Sequence, residues 1–327
     1  GGLGLPRLDA AIIFEKLAYG DTSATAFMTI HNMVAWMIGE FAKREVAEKY
    51  VPDMITGEKL GSYCLTEPNA GSDAASLKTK AVKNGDHYLL TGQKMFISGA
   101  GATDVLVVMA RTSDNGAKGI SAFIVDANAE GVSYGKNEHK MGWKNQPTAA
   151  VHFSNVKVPV ENLLGEEGQG FTFAMKGLDG GRINIGTCAI GTAQAALDRA
   201  VQYVGERSQF GKTLNQFQSV QFKLADMLTE LVAARQMVRL AAYHLDNGSP
   251  DATTYCAMAK RLATDISFEV ANQALQLHGG YGYLQEYPLE RHVRDLRVHQ
   301  ILEGTNEVMR MITARKMMED GALARLQ

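Results

Sequence analysis

Hydrophobic spacing changes twice along the chain. Over the first fifty-odd residues apolar positions recur at threes and fours, as in "LDAAIIFEKLAY", and predict helices over about residues 8–19, 22–38 and 43–54. A different texture follows. "HYLLTGQKMFIS", "DVLVVMART", "GISAFIVDA" and "AAVHFSNVKV" are short, β-rich and separated by Gly, Asn and Asp turns, and "KNGDHY" puts Asn84-Gly85 where a hairpin would turn. No helical stretch intervenes, so the pattern predicts a compact antiparallel sheet or barrel rather than a parallel α/β fold. Beyond Pro159 the helical spacing returns. No proline lies between Pro159 and Pro250, between Pro250 and Pro288, or after Pro288. Long helices need such stretches, because an internal proline costs about 3 kcal/mol.

Four helices are expected there. The first runs through "FTFAMKGLDGGRINIGTCAIGTAQAALDRAVQYVGER". The second carries a stripe of Val220, Phe222, Leu224, Met227, Leu228, Leu231, Val232 and Met237. A third covers about residues 252–277 and is stopped by Gly279 and Gly280, and a fourth covers about 306–319. The predicted fold class is a multi-domain α and β protein: N-terminal helices over residues 1–60, a middle antiparallel β domain over 61–160 and a C-terminal four-helix bundle over 161–327.

Composition narrows the function classes. The 327 residues suffice for two or three domains with real cores. A formal net charge of −2 argues against nucleic acid as the main partner, while leaving room for a local basic pocket. No apolar run reaches the length needed to span a bilayer. Cys64, Cys188 and Cys256 are far apart and odd in number, which indicates neither a disulfide framework nor a zinc knuckle and suits a reducing compartment. The chain opens on a loop running straight into a helix, without a signal-peptide pattern, as if in the middle of a domain. The expectation is a trimmed N-terminus, with any targeting segment gone.

One acid stands in an odd setting. In "HQILEGTNEVMR", Glu303 follows Ile301 and Leu302 and precedes Gly304, with Thr305 as a helix cap and Glu307 in the first turn. An apolar site would raise its proton affinity and suit a general base; a solvated loop acid is the alternative. "TEPNAGSDAASLKTKA" places Thr66, Asn69, Gly71 and Ser72 in a loop leaving a strand, able to aim N–H groups and hydroxyls at an anion or a heteroaromatic edge, or to be a plain turn. "GAGATD" and "GGYGYL" sit in no βαβ unit, so a Rossmann site is not expected. His292, Asp295 and His299 share a helical face, but two arginines and no second carboxylate make poor metal spacing, and a solvated or ion-paired face is expected. Arg207, in "ERSQFGK", ends a long helix, where it could complement the dipole or clamp a phosphate.

Taken in order, "YCLTEPNAGSDAASLKTKA", "GQKMFISGAG", "RSQFGK", "QLHGGYGYLQEYPLERHVRD" and "ILEGTNEVMR" resemble the acyl-CoA dehydrogenase family over essentially the whole chain, without its first few helices. The resemblance implies FAD between the β domain and the bundle. Tyr63, Leu65, Thr66, Gly71 and Ser72 match positions around the flavin ring, and Phe96, Ile97 and Ser98 the strand at its far face, with the Ser98 hydroxyl on the reactive nitrogen. Arg207, Phe210, Phe217 and Gln218, with Gln276, Gly279 and Gly280, match residues on the pyrophosphate and adenine side, partly contributed in the family by a neighbouring subunit, so a homotetramer is implied. Thr305, Asn306 and Glu307 match further FAD contacts.

On the same grounds Glu303 matches the base that removes the α-proton of an acyl thioester while the β-hydrogen leaves as hydride to the flavin. Some relatives carry the base at the position of Gly181, which cannot serve. Ser72, Asp179, Arg182 and Arg315 match substrate-side positions. "RVHQILEG" and "GLDGGRINI" are most similar to members acting on a short branched acyl-CoA in valine breakdown, isobutyryl-CoA to methacrylyl-CoA, with electron-transfer flavoprotein as acceptor. Phe96 stands where many relatives have tryptophan, and Leu302 where straight-chain enzymes have tyrosine. The alternatives are a butyryl-type straight-chain dehydrogenase, an acyl-CoA oxidase, and a non-catalytic flavin-binding relative. The family occurs in the mitochondrial matrix and in bacterial cytoplasm.

Overall fold

Helices α1 (Arg7–Gly20), α2 (Thr22–Phe41) and α3 (Arg44–Thr56) lead the chain. A sheet of eight strands follows: β1 (Gly61–Cys64), β2 (Lys80–Asn84), β3 (His87–Ser98), β4 (Val105–Arg111), β5 (Ile120–Asp126), β6 (Val132–Tyr134), β7 (Thr148–Pro159) and β8 (Leu163–Leu164). Then come α4 (Gly170–Glu206), α5 (Gln218–Asp246), α6 (Ala252–Leu277), α7 (Leu289–Arg297) and α8 (Asn306–Asp320). The structure, a computed structural model, describes residues 2–320. Two compact units emerge: one gathers Phe27–Lys140 and Asn145–Leu178, the other Leu5–Ala26, Met141–Lys144 and the chain from Asp179 on. The helices of the first sixty residues thus divide, α1 joining the second unit and α3 the first.

In the first unit the strands run in the order β6-β7-β3-β2-β4-β5-β8, with β1 also beside β4. The hairpin turns at Asn84–Gly85 as its sequence predicts, Asn84 pairing with His87. Most ladders are antiparallel, but β1/β4 and β2/β4 run parallel. A parallel pair needs a long crossover, and the chain between β1 and β4, hairpin included, supplies it. Strand β4 is the centre. Val105, Val107 and Met109 join one core with α2 and α3, through Met37, Ile38 and Met54; Leu106, Val108 and Ala110 join the other with β3, β5 and β7. Burial on both faces explains why "VLVVMA" reads as an unbroken apolar run instead of an alternation. Each of its fully buried Val and Leu side chains contributes about 1.5–3 kcal/mol.

The second unit is helical. Its axis is α6, packed against α5, α7 and α8 and built largely of small buried residues: Ala257, Ala259, Ala263, Ala271 and Ala274. Small side chains let the helices approach closely. One close approach is between α4 and α1, where a β-carbon at Gly191 would lie 2.2 Å from the Glu15 carbonyl oxygen, so only glycine fits. Helix α5 has two apolar sides. Met227, Leu231, Ala234 and Val238 face the core, whereas Phe222, Leu228, Val232, Leu240 and Tyr243 lie on the opposite side and stay exposed. The expected stripe on α5 mixed members of both sides. Among the described residues no helix is long and apolar enough to cross a membrane.

Candidate active site

In the first unit, the loop after β1 is held by a buried charge. The Lys94 ammonium, wholly buried on β3, donates to the Leu65 carbonyl at 3.0 Å and to Glu67 Oε1 at 2.8 Å. Glu67 also accepts the N–H groups of Lys78 and Thr79 at 2.6 and 2.9 Å. Burial alone would raise the Glu67 carboxyl, but Lys94 and these hydrogen bonds hold it below its ordinary value. The Met95 N–H meets the Thr66 carbonyl at 2.8 Å, and Glu67 and Ala70 close a tight turn that leaves Gly71 and Ser72 exposed. Tyr63 lies on β1 and Leu65 is buried beside it in the core.

Just beyond Lys94 the β3/β7 register slips, and Phe96 sits in the slip with φ +59°. A bulky residue rarely adopts that conformation. Its ring is nonetheless 62% exposed, while the next residue, Ile97, is buried and the Ser98 carbonyl accepts the Ser62 hydroxyl at 2.7 Å. Strained backbone thus presents an aromatic side chain to the outside, where nothing in the core rewards it.

The second unit carries two groupings. In the first, α4 ends just before Arg207, whose guanidinium lies 5.6 Å from the Tyr281 ring centroid, against a cleft of ≈ 480 Å³ lined by Tyr203, Gln209, Gln276, Gly279 and Gly280. Arg207, Gln276, Gly279 and Gly280 are thereby brought together. Phe210 (94% exposed, φ +54°), Phe217 and Gln218 lie outside that lining, Phe210 set edge-on to Phe217 at 6.4 Å. Tyr203 and Tyr281 were missed by sequence reasoning; the "GGYGYL" segment and an aromatic one turn before Arg207 were the available signals.

The second grouping centres on Glu303. It and Gly304 both take left-handed backbone, φ +57° and +91°, in the bend before α8. The Thr305 hydroxyl caps that helix by accepting the Val308 N–H at 3.3 Å, as the sequence predicts, and Glu307 stands exposed in its first turn. Glu303 Oε2 is sealed from solvent with no hydrogen-bond partner among the described residues. Burial pushes its carboxyl up to about 7, with Arg182 and Lys260 pulling back. The solvated alternative therefore fails. Arg182 Nη1 donates to Asp179 Oδ1 at 2.8 Å, and the Thr253 hydroxyl to Asp179 Oδ2 at 2.7 Å. Burial raises the Asp179 carboxyl, opposed by Thr253 and Arg182.

Two further expected contributors lie on or beside α8. The Asn306 side chain turns into the protein, bonded to Lys260, Thr264 and Asp265. Arg315 is exposed on α8, about 13 Å along the helix axis from its start. The His292, Asp295 and His299 face is also corrected: all three are buried, not solvated. Asp295 accepts the Trp143 N–H at 2.6 Å and His299 lies within hydrogen-bond reach of the Ile185 carbonyl, so the segment around Trp143 covers that face of α7. Burial brings both imidazoles down to about 4.

Comparison with known proteins places this geometry. Three family profiles match in chain order: "Acyl-CoA dehydrogenase, N-terminal domain" over residues 1–58, "middle domain" over 62–156 and "C-terminal domain" over 168–318. The chain is 54% identical over 320 residues to mitochondrial isobutyryl-CoA dehydrogenase of Bos taurus, covering 98% of this chain and 77% of the relative. A solved structure of the electron transferring flavoprotein work on Acidaminococcus fermentans superposes with a TM-score of 0.95 at 42% identity, covering 98% of this chain and 84% of that one. An FAD complex of PigA superposes with a TM-score of 0.94 at 30% identity, covering 97% and 84%. FAD fits the residues present. The exposed, strained Phe96 offers a platform for a flat ring, and Arg207 beside a tyrosine-lined cleft suits a phosphate next to a nucleobase. With all three profiles matched and a relative more than half identical across nearly the whole of this chain, the chain belongs to the acyl-CoA dehydrogenase family: an FAD-dependent oxidoreductase acting on CH–CH groups.

Proposed function

We propose that the enzyme dehydrogenates a short branched acyl-CoA, isobutyryl-CoA to methacrylyl-CoA in valine breakdown, with Glu303 removing the α-proton. The observation that carries the reading is Glu303 Oε2, sealed from solvent and without a partner among the described residues, in a site whose burial pushes the carboxyl up to about 7. At neutral pH such a group is about half ionised, so it can take a proton and hold it as a neutral acid. The Glu303 N–H has no hydrogen-bond partner among the described residues and is available to the thioester carbonyl as negative charge develops there. Ile301 and Leu302 supply apolar cover for the same spot. Bound FAD supplies the acceptor for the β-hydrogen and its electron pair. The loop around Thr66 and Ser72, with Phe96 and Ser98, would hold the flavin ring; Arg207, Gln276 and Gly280 would hold the pyrophosphate and adenine. Asp179 and Arg182, locked to one another, would meet the substrate.

The branched substrate is supported by the bovine relative's name and by aliphatic Leu302 before the base. The same name supports a mitochondrial matrix setting. Electron-transfer flavoprotein as acceptor is supported by the Acidaminococcus fermentans structure. The exposed apolar side of α5 supports a homotetramer. The test is the visible spectrum of the purified enzyme before and after anaerobic addition of isobutyryl-CoA or butyryl-CoA, beside Glu303→Gln. Bleaching that is faster with isobutyryl-CoA and lost in the variant is expected. Faster bleaching with butyryl-CoA would overturn the substrate, and absence of a flavin band would sink the enzyme reading.

A further inference from the structure

Behind the Glu303 bend lies a charge that the reaction does not use. Lys260 belongs to α6, and its side chain is wholly buried. A buried ammonium is costly unless every donor finds an acceptor. Here Nζ donates to the Gly304 carbonyl at 2.8 Å and to Asn306 Oδ1 at 2.9 Å. Asn306 is fixed in turn, its amide donating to the Thr264 hydroxyl at 2.9 Å and to Asp265 Oδ1 at 2.7 Å. The two acceptors of the lysine thus flank Thr305 and follow directly on Glu303. Glu303, with φ +57°, holds a left-handed backbone that a non-glycine residue keeps only when its surroundings over-determine it. The contact to the Gly304 carbonyl is the structure's means of doing so.

We propose that Lys260 is a positioning residue for the base: its ammonium ties the Gly304 carbonyl and the Asn306 side chain to α6, fixing the bend that aims Glu303, and keeps a positive charge within electrostatic reach of its carboxylate. This rests on Glu303 being the base. The charged groups acting on Lys260 are Glu303 from the bend, Asp265 on its own helix, Arg182 from α4 and Glu307 from α8, and His299 feels its charge from the turn after α7. Burial brings the ammonium down to about 7, Glu303 and Asp265 opposing, so the lysine and the glutamate titrate over one range and hold one another ionised. When Glu303 takes up the substrate proton, the lysine loses that support. Its charge therefore favours the ionised base before transfer.

Lys260→Met tests this in the FAD-loaded protein, beside wild type and Glu303→Gln. The Glu303 carboxyl is followed directly, as the infrared carboxyl absorption present in wild type and absent in Glu303→Gln, titrated with pH. With the cation gone its midpoint is expected to rise by about one unit or more. The acid limb of the flavin-reduction rate moves with it, and the rate at pH 7 falls about fivefold or more, since a one-unit rise cuts the ionised fraction from about one half to one eleventh. An unchanged midpoint and rate in a folded, flavin-bearing variant would overturn the proposal while leaving the base intact. Full activity in Glu303→Gln would instead overturn the base. If Lys260→Met does not fold, Lys260→Gln, which keeps a neutral donor, carries the same expectation. Loss of folding in both would make the lysine a folding residue and would also overturn the proposal.

Discussion

The carboxylate of Glu303 occupies the space a side chain on Gly181 would need: a β-carbon built there lies 2.5 Å from Oε2 and 2.8 Å from Cδ. Glutamate and glycine come from the bend before α8 and from the middle of α4. The two positions exclude one another, so a side chain at 181 and a carboxylate from 303 compete for one space.

Gly181→Ala separates activity from stability. Alanine favours a helix interior over glycine by about 1 kcal/mol, and the atom it meets is the movable end of Glu303. The fold should be unharmed or slightly firmer by thermal melting. The rate of flavin reduction should fall at least tenfold, because the base is displaced. A variant at wild-type rate would show that the carboxylate does not act from this position.

The pH dependence has a defined sign. Glu303 is raised from 4.5 to about 7 by burial, so the rate should climb about tenfold per pH unit below 7 and flatten above it. Stability runs the other way. A raised acid contributes fully below its unfolded value, near 4.5, and that contribution is lost as pH rises through the folded value. Glu303→Gln should therefore match wild type in stability at pH 4.5 and exceed it at pH 7 and above by an amount on the order of 1–3 kcal/mol, seen as a higher melting temperature. Equal melting curves at pH 8 would contradict the raised affinity.

Phe96→Gly should split fold from cofactor in the first unit. Glycine relieves the φ of +59°, worth about 1–2 kcal/mol, and adds about 0.5–1 kcal/mol of chain entropy, so stability should stay within about 1 kcal/mol of wild type. Loss of the ring platform should weaken FAD retention on gel filtration. Undiminished flavin content would mean the exposed ring serves something else.

Lys94→Met should do the opposite. It strands a buried Glu67 carboxylate, at a cost of about 3–5 kcal/mol, and frees the Leu65 carbonyl beside the Thr66 loop. Urea unfolding read on the sheet should shift to lower denaturant, with FAD content falling as well. A shift below 1 kcal/mol would show that the pair is dispensable.

What the sequence made legible follows from how local each determinant is. Strand β3 and helices α4, α6 and α8 were readable because spacing and glycine stops act within a few residues. The bend at Glu303 was equally local: aliphatic pair, acid, glycine, cap. The positions that escaped depend on partners far along the chain. Lys94 and Lys260 look like surface lysines until Glu67, 27 residues away, and Asn306, 46 away, are folded against them. The His292–Asp295–His299 face reads as polar and solvated, yet the segment around Trp143 covers it. On α5 the apolar stripe marked a helix but not its inner side, where Ala234, Ala241 and Ala242 are buried beside Met227, Leu231 and Val238.

Strand β4, walled in on both faces, has a consequence for hydrogen exchange. Its amides pair with β1 or β2 on one edge and β5 on the other, so no local fluctuation brings water to them. Deuterium should enter Val107, Val108 and Met109 only when the first unit opens as a whole, and their exchange rates would read out that unit's global stability while the rim of the sheet exchanges freely.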